Sequence, residues 1–371
     1  MQAFASRRLM AFRVLAVTLP ILATAVLFAG YVGYRELRLD YTSCGPYGVL
    51  DEELGWRLRE RSSSCLKLEN RLTGEVIFDT KVFINARGFR DSTPDGDGAN
   101  TAVLAIGDSW TFGYGVNYEQ SYPYVLGEFT GLRVANAGVP AYGAAGTMIL
   151  LRRALDHLRP TGVVYLAKGL WTRSTCDETS APRTLVPCFV RDRAGTVRLV
   201  RPSQTAVASA AANSELPGGA LTSGHRVSAA ARLLRRTRAD FDGAFGWFRP
   251  TPVAAADDID LVRDVLTFEL QGLLQLAREF AFTLVLVDPL NGYQHAVDRL
   301  TPEERRHIVY FGQADWGRDV ETRLRQLRPD QVLIPEDWHY TPEANWAIAS
   351  ALAPVVRDAA RRAAAPATTH R

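Results

Sequence analysis

Short apolar runs separated by long stretches of helical periodicity constrain this chain more than any other feature. Val103-Leu104-Ala105-Ile106, the run at 132–135, Val163-Val164-Tyr165-Leu166, the run at 283–287 and Val332-Leu333-Ile334 each read as a buried strand. Helical spacing of apolar residues marks 119–129, 144–158, 261–280, 302–327 and 342–360. A strand apolar on both faces belongs in a sheet covered on both sides, and its alternation with helices predicts β-α-β units around a parallel sheet. The predicted class is therefore α/β. In such sheets the chemistry gathers beyond the carboxyl ends of the strands.

The first segment predicts a compartment. Arg7 and Arg8 precede an apolar run over 10–34, interrupted by Arg13 near its start. Its uncharged part is about 20 residues, enough to cross a hydrocarbon core as a helix. Pro20 is tolerable there, and the basic residues keep the N-terminal side in the cytoplasm. The expectation is a single-pass inner-membrane protein with its main domain outside the cytoplasm. A cleaved signal peptide is the alternative, with Ala23, Ala25 and Ala29 as small residues near the end of the run. Four cysteines fit export, in the local pairs Cys44 with Cys65 and Cys176 with Cys188, although sequence alone allows three pairings. The formal charge of +3 is small for 371 residues and Arg is spread along the chain, so no nucleic-acid footprint is expected.

Residues 35–100 read as a juxtamembrane collar following a cytoplasmic 1–9 and the anchor at 10–34. Within it Val76-Ile77-Phe78 and Val82-Phe83-Ile84 read as two short strands flanking Asp79, Thr80 and Lys81. The main domain is expected over 101–363, with an insertion at about 173–256 where the alternation fails. That insertion carries the second cysteine pair, the basic run 232–238, and Phe241, Phe245, Trp247 and Phe248. It reads as a lid or partner surface. Residues 364–371 read as a disordered tail.

Gly107-Asp108-Ser109-Trp110-Thr111-Phe112-Gly113 directly follows the first main-domain strand. A Ser there sits at the carboxyl edge of the sheet, where amides opening the next segment can face a developing oxyanion. Serine needs a base to act as a nucleophile. Of six histidines His339 is the candidate, because Glu336-Asp337-Trp338-His339 follows the last strand-like run and precedes the last helix. A carboxylate nearby would hold the imidazole tautomer. Asp337 is the first choice and Glu336 the alternative. His157, His295 and His307 fall on helix-like or loop stretches, and no metal-binding histidine spacing occurs.

These blocks resemble those of the SGNH/GDSL hydrolases. Residues 107–113 resemble the family's first block and Asp337-Trp338-His339 its last. Asn136-Ala137-Gly138, with Pro140 and Tyr142-Gly143 after it, resembles the second. Leu54-Gly55-Trp56 and Asn85-Ala86-Arg87-Gly88-Phe89-Arg90 resemble the segment before the first block in bacterial exported members. The resemblance implies a three-layer α/β/α, flavodoxin-like fold and ester hydrolysis or acyl transfer without a cofactor. It implies Ser109 as nucleophile and amide donor, Gly138 as second amide donor, His339 as base and Asp337 as its orienter. Asp108, Trp110, Tyr142 and Trp171 are candidate substrate-binding residues. Two positions depart from the family pattern. Trp171 in Gly169-Leu170-Trp171-Thr172 stands where the family's third block carries an oxyanion-binding Asn, and Ala344 replaces a Gly after the last block. Loss of one oxyanion donor costs on the order of a hundredfold in turnover. Another donor, a shifted alignment or a specialised enzyme would each account for Trp171.

The expected activity is therefore a serine-dependent ester hydrolase or O-acyltransferase. Its expected substrate is an envelope acyl ester, on polysaccharide, peptidoglycan or lipid. The alternative is a non-catalytic envelope protein of the same fold that binds glycan or a protein partner.

Overall fold

The computed structural model describes residues 39–96, 100–167, 175–176, 186–192, 194–205, 207–208, 256–337 and 339–364, with scattered positions between 18 and 38. The strands are β1 (Leu39–Ser43), β2 (Gly48–Asp51), β3 (Gly55–Leu58), β4 (Ser62–Asn70), β5 (Val76–Ile84), β6 (Arg90–Asp91), β7 (Val103–Gly107), β8 (Val134–Gly138), β9 (Gly162–Leu166), β10 (Cys188–Arg191), β11 (Val197–Val200), β12 (Thr283–Val287) and β13 (Ile308–Phe311). The helices that matter for the site are α1 (Ser109–Phe112), α2 (Tyr122–Thr130), α3 (Ala144–Leu155), α4 (Ala256–Phe280) and α5 (Pro342–Ala364).

The chain divides into two compact units. The smaller comprises Met1–Tyr41, Leu68–Val76 and His225–Val253. In it, Arg71 pairs with Asp40 at 2.7 Å and its N–H is donated to the Arg38 carbonyl at 2.7 Å. The described positions from 18 to 34 are helical, and Val26 and Leu27 are 69% and 75% exposed. Among the described residues no helix is long and apolar enough to cross a membrane. Most of the 10–34 segment expected to do so lies outside them.

The larger unit, Thr42–Lys67, Ile77–Gly224 and Ala254–Arg371, is built on a sheet. Its parallel part runs β8-β7-β9-β12-β13, the doubly wound order in which the first strand lies between the second and third. Alternation along the strands explains the three layers. Leu104 and Ile106 of β7 face a core with Leu151 and Leu155 of α3 and Leu266, Leu270 and Leu273 of α4. Val103 and Ala105 face the opposite core with Tyr122 and Leu126 of α2 and Ile348 and Leu352 of α5. Each such Leu or Ile, fully buried, contributes about 1.5–3 kcal/mol, so both helical layers are held by the same strands.

Several expectations change. The two short strands expected around Asp79–Lys81 are one strand, β5. Thr80 points inward and donates to the Leu66 carbonyl at 3.3 Å, so the alternation continues through the polar residues. Part of the expected collar joins the main sheet, while β2 and β3 form a two-stranded sheet of their own. β6 pairs antiparallel with β5 and with β8, joining these strands to the main sheet. The helix expected over 302–327 contains β13, which pairs in parallel with β12, and its second half is helical, an unbroken run over 313–324 with a π-type stretch from Trp316 to Glu321. Val332-Leu333-Ile334 forms no strand; Leu333 makes a lone bridge to Tyr340. Both expected disulfides are present, Cys44–Cys65 and Cys176–Cys188. The second leads into the β10–β11 hairpin, whereas the rest of the expected insertion, with its basic run and aromatics, lies mostly outside the described residues. So does the tail beyond Ala364.

Candidate active site

Strand β7 ends at Gly107, with φ of +148°, where a side chain would press on Thr111 Cβ and the Leu166 carbonyl, both 3.2 Å away. The chain turns there directly into α1, and Ser109 is its first residue. Asp108 caps this helix by accepting the Trp110 N–H at 2.9 Å. That places the Ser109 hydroxyl at the carboxyl edge of the sheet. Its own N–H is one of the unpaired first-turn donors and has no partner among the described residues.

The histidine arrives from a tight loop before α5. Ile334 N–H bonds the His339 carbonyl at 2.9 Å and Asp337 N–H bonds the Ile334 carbonyl at 3.0 Å. Glu336 takes a left-handed φ of +60° between them. The loop is fixed to α2 by Asn345, which accepts the Tyr122 N–H at 3.0 Å. Its amide donates to the carbonyls of Tyr340 and Thr341 at 3.2 and 3.0 Å.

These elements bring three side chains into line. Asp337 Oδ1 lies 2.5 Å from His339 Nδ1 and also accepts the His339 N–H at 2.9 Å. His339 Nε2 lies 2.8 Å from Ser109 Oγ. A carboxylate only accepts, so the imidazole proton belongs on Nδ1 and Nε2 is left to accept the hydroxyl proton. Asp337 is 5% exposed and His339 18%, so the pair is sheltered while the serine edge stays reachable. Of the two carboxylates considered from sequence, Asp337 makes this bond.

No family model matches the sequence, and no curated protein matches it. Solved structures that resemble it include a lipolytic protein of the G-D-S-L family from Desulfitobacterium hafniense DCB-2, at 15% identity and a TM-score of 0.35, covering 69% of this chain and 99% of that one. TesA resembles it at 12% identity and a TM-score of 0.36, covering 69% and 98%. A carbohydrate esterase whose active site combines catalytic and non-catalytic binding functions resembles it at 10% identity and a TM-score of 0.34, covering 86% and 85%.

Three expected site residues are placed differently. Gly138 was expected to offer an oxyanion amide, but its N–H is donated to Asn136 Oδ1 at 3.0 Å. Its missing side chain instead lets the end of β8 press against the backbone of Thr111 and Phe112. Tyr142 was expected near substrate, but it is 1% exposed and its hydroxyl bonds the Trp56 carbonyl at 2.5 Å. Asp108 is likewise buried in its capping role. Trp110 does lie at the site, with its ring 5.4 Å from His339 and 4.3 Å from Tyr340. Trp171 and Trp338 lie outside the described residues.

Three residues had no role assigned from sequence. The ring of Tyr114 lies 4.8 Å from the imidazole, and its phenol is pushed up by burial and by the Asp337 charge. Ala141 follows β8 in a left-handed turn with φ of +64°, and its N–H has no partner among the described residues. Arg90 is 1% exposed beneath α1. A non-glycine residue forced into the left-handed region by a following turn leaves no periodic signal, and neither does a ring contact between loops.

Proposed function

We propose that this chain is a serine ester hydrolase of the SGNH/GDSL type. The observation that carries the reading is the continuous Asp337–His339–Ser109 chain, with contacts of 2.5 and 2.8 Å at the carboxyl edge of the sheet. Ser109 Oγ would attack an ester carbonyl as His339 Nε2 takes its proton. His339 would return that proton to the leaving alcohol, giving an acyl-enzyme. Water, activated by the same imidazole, would release the acid. Asp337 would hold the tautomer and stabilise the imidazolium. The unpaired N–H groups of Ser109 and Ala141 are the candidate oxyanion donors in place of Gly138.

The reading extends to an acylated glycan or lipid of the envelope as substrate, with a sugar hydroxyl replacing water if the reaction is transfer. Its support is the apolar run behind Arg7 and Arg8 and the two disulfides. Carbonate extraction of membranes from cells expressing the full chain tests the anchor, and release into the supernatant would refute it. Turnover of p-nitrophenyl acetate by the wild type, abolished in Ser109→Ala, is the expected activity. Equal turnover by a folded Ser109→Ala variant would refute the nucleophile.

A further inference from the structure

Arg90 opens β6, where it pairs with Asn136 of β8, and its guanidinium is enclosed. A buried guanidinium must find acceptors for its N–H groups or it destabilises the fold. Arg90 has no carboxylate partner among the described residues. It takes backbone carbonyls instead. Nη1 donates to Phe112 O at 2.6 Å and to Gly113 O. Nη2 donates to Val116 O at 2.5 Å and reaches Lys81 O at 3.5 Å. The guanidinium also lies over the Phe112 ring, 4.6 Å from its centroid. Burial lowers its pKa only to about 10, so the cation persists at neutral pH.

The gripped carbonyls have a particular place. Phe112 O and Gly113 O end α1, the four-residue helix that begins with Ser109. Val116 O lies three residues beyond Gly113. Between these grips stands Tyr114, whose ring touches the imidazole of His339. Asn136 Nδ2 adds a weaker bond to Phe112 O at 3.3 Å. One side chain thus fixes the far end of the nucleophile helix and both ends of the turn that carries a ring against the base.

We propose that Arg90 is a positioning residue that sets the alignment of Ser109 with His339 by clamping the Phe112–Val116 turn and, through Tyr114, the imidazole. The inference rests on the ester-hydrolase reading. A structural clamp alone would cost stability and leave turnover per folded molecule unchanged. A positioning clamp lowers kcat at nearly constant KM, because a displacement of about 1 Å costs on the order of a hundredfold in rate. Lysine should recover little of the loss, since one ammonium cannot reproduce the planar fork.

The test compares wild type with Arg90→Met, Arg90→Lys, Arg90→Ala and Tyr114→Leu, normalised to folded fraction by circular dichroism. Kinetics use p-nitrophenyl acetate and the rate of fluorophosphonate inactivation. The expected result is a loss of about 10²-fold in kcat for Arg90→Met, with KM within about threefold. Free guanidinium should restore Arg90→Ala severalfold. Tyr114→Leu should lose at least about tenfold, non-additively with Arg90→Met because the two share one path. A folded Arg90→Met variant with kcat within twofold of wild type overturns the proposal. If that variant does not fold, Tyr114→Leu with kcat within twofold overturns it instead. If the wild type neither turns over nor labels, the ester reading has failed. The downfield proton resonance of His339 Nδ1 then decides the positioning separately: a shift or broadening in Arg90→Met or Tyr114→Leu supports it, and an unchanged resonance in both overturns it.

Discussion

Replacing Gly138 by alanine separates two roles for this residue. Alanine keeps the N–H, so a residue serving only as an amide donor should tolerate the change. The structure predicts otherwise. A Cβ at 138 would stand 2.7 Å from the Thr111 carbonyl carbon and 2.9 Å from Phe112 Cα. Carbon atoms rest about 3.5–4 Å apart, so the shortfall is roughly 1 Å against backbone that has no rotamer to escape into. The end of β8 must move away from α1, and α1 carries Ser109. Overpacking of this kind costs about 1–3 kcal/mol. The same shift would open the 2.8 Å contact between Ser109 Oγ and His339 Nε2 and lower kcat by about 10²-fold. Thermal melts by circular dichroism and kcat/KM on p-nitrophenyl acetate read the two effects. An alanine variant with unchanged Tm and kcat within threefold of wild type would refute the close-approach argument.

Three further outcomes follow from the same geometry. Asp337→Asn should keep the fold but lower kcat by about 10³–10⁴-fold, because an amide in place of the carboxylate favours the wrong imidazole tautomer; steady-state kinetics on folded protein checks this. Burial raises the Glu269 carboxyl from 4.5 to about 7 although Tyr165 and Tyr293 donate to it, so the folded state binds this proton more tightly than the unfolded chain does. The stability it contributes is present below about pH 4.5 and lost as pH rises through about 7, by about 3 kcal/mol, so Tm should fall over pH 5–8 more steeply in wild type than in Glu269→Gln. Tyr142→Phe should cost about 1–2 kcal/mol in a urea melt, by leaving the Trp56 carbonyl without its buried donor, and leave kcat unchanged.

The parallel sheet was legible because β7, β9 and β12 are apolar on both faces, which only a doubly covered strand tolerates. β13 was hidden for the opposite reason. It is the edge strand, with Val309 and Tyr310 only half-buried between charged stretches, and its neighbours complete a helical count. β5 was split because Asp79 and Lys81 look like turn residues until their alternation with buried Thr80 is placed on a sheet. Ser109 stands directly after β7 as its place in the sequence predicts; Asp337 and His339 precede α5 as expected, but the strand expected before them at 332–334 does not form. Gly138 and Tyr142 could not be assigned correctly. Whether an amide is free depends on the Asn136 side chain beside it, and whether a tyrosine faces substrate depends on Trp56, 86 residues away in sequence. The Arg90 guanidinium takes main-chain carbonyls, three of them in the turn after Ser109, and no residue type in a sequence announces such acceptors.

The central claim is that Ser109 is a nucleophile activated by His339. The most direct test treats the purified, folded chain with a fluorophosphonate probe and maps the modified residue by mass spectrometry, beside Ser109→Ala and His339→Ala. The account predicts a single adduct on Ser109 whose rate collapses in His339→Ala. A folded wild-type protein that takes no label, or labels elsewhere at the same rate in all three proteins, would contradict it.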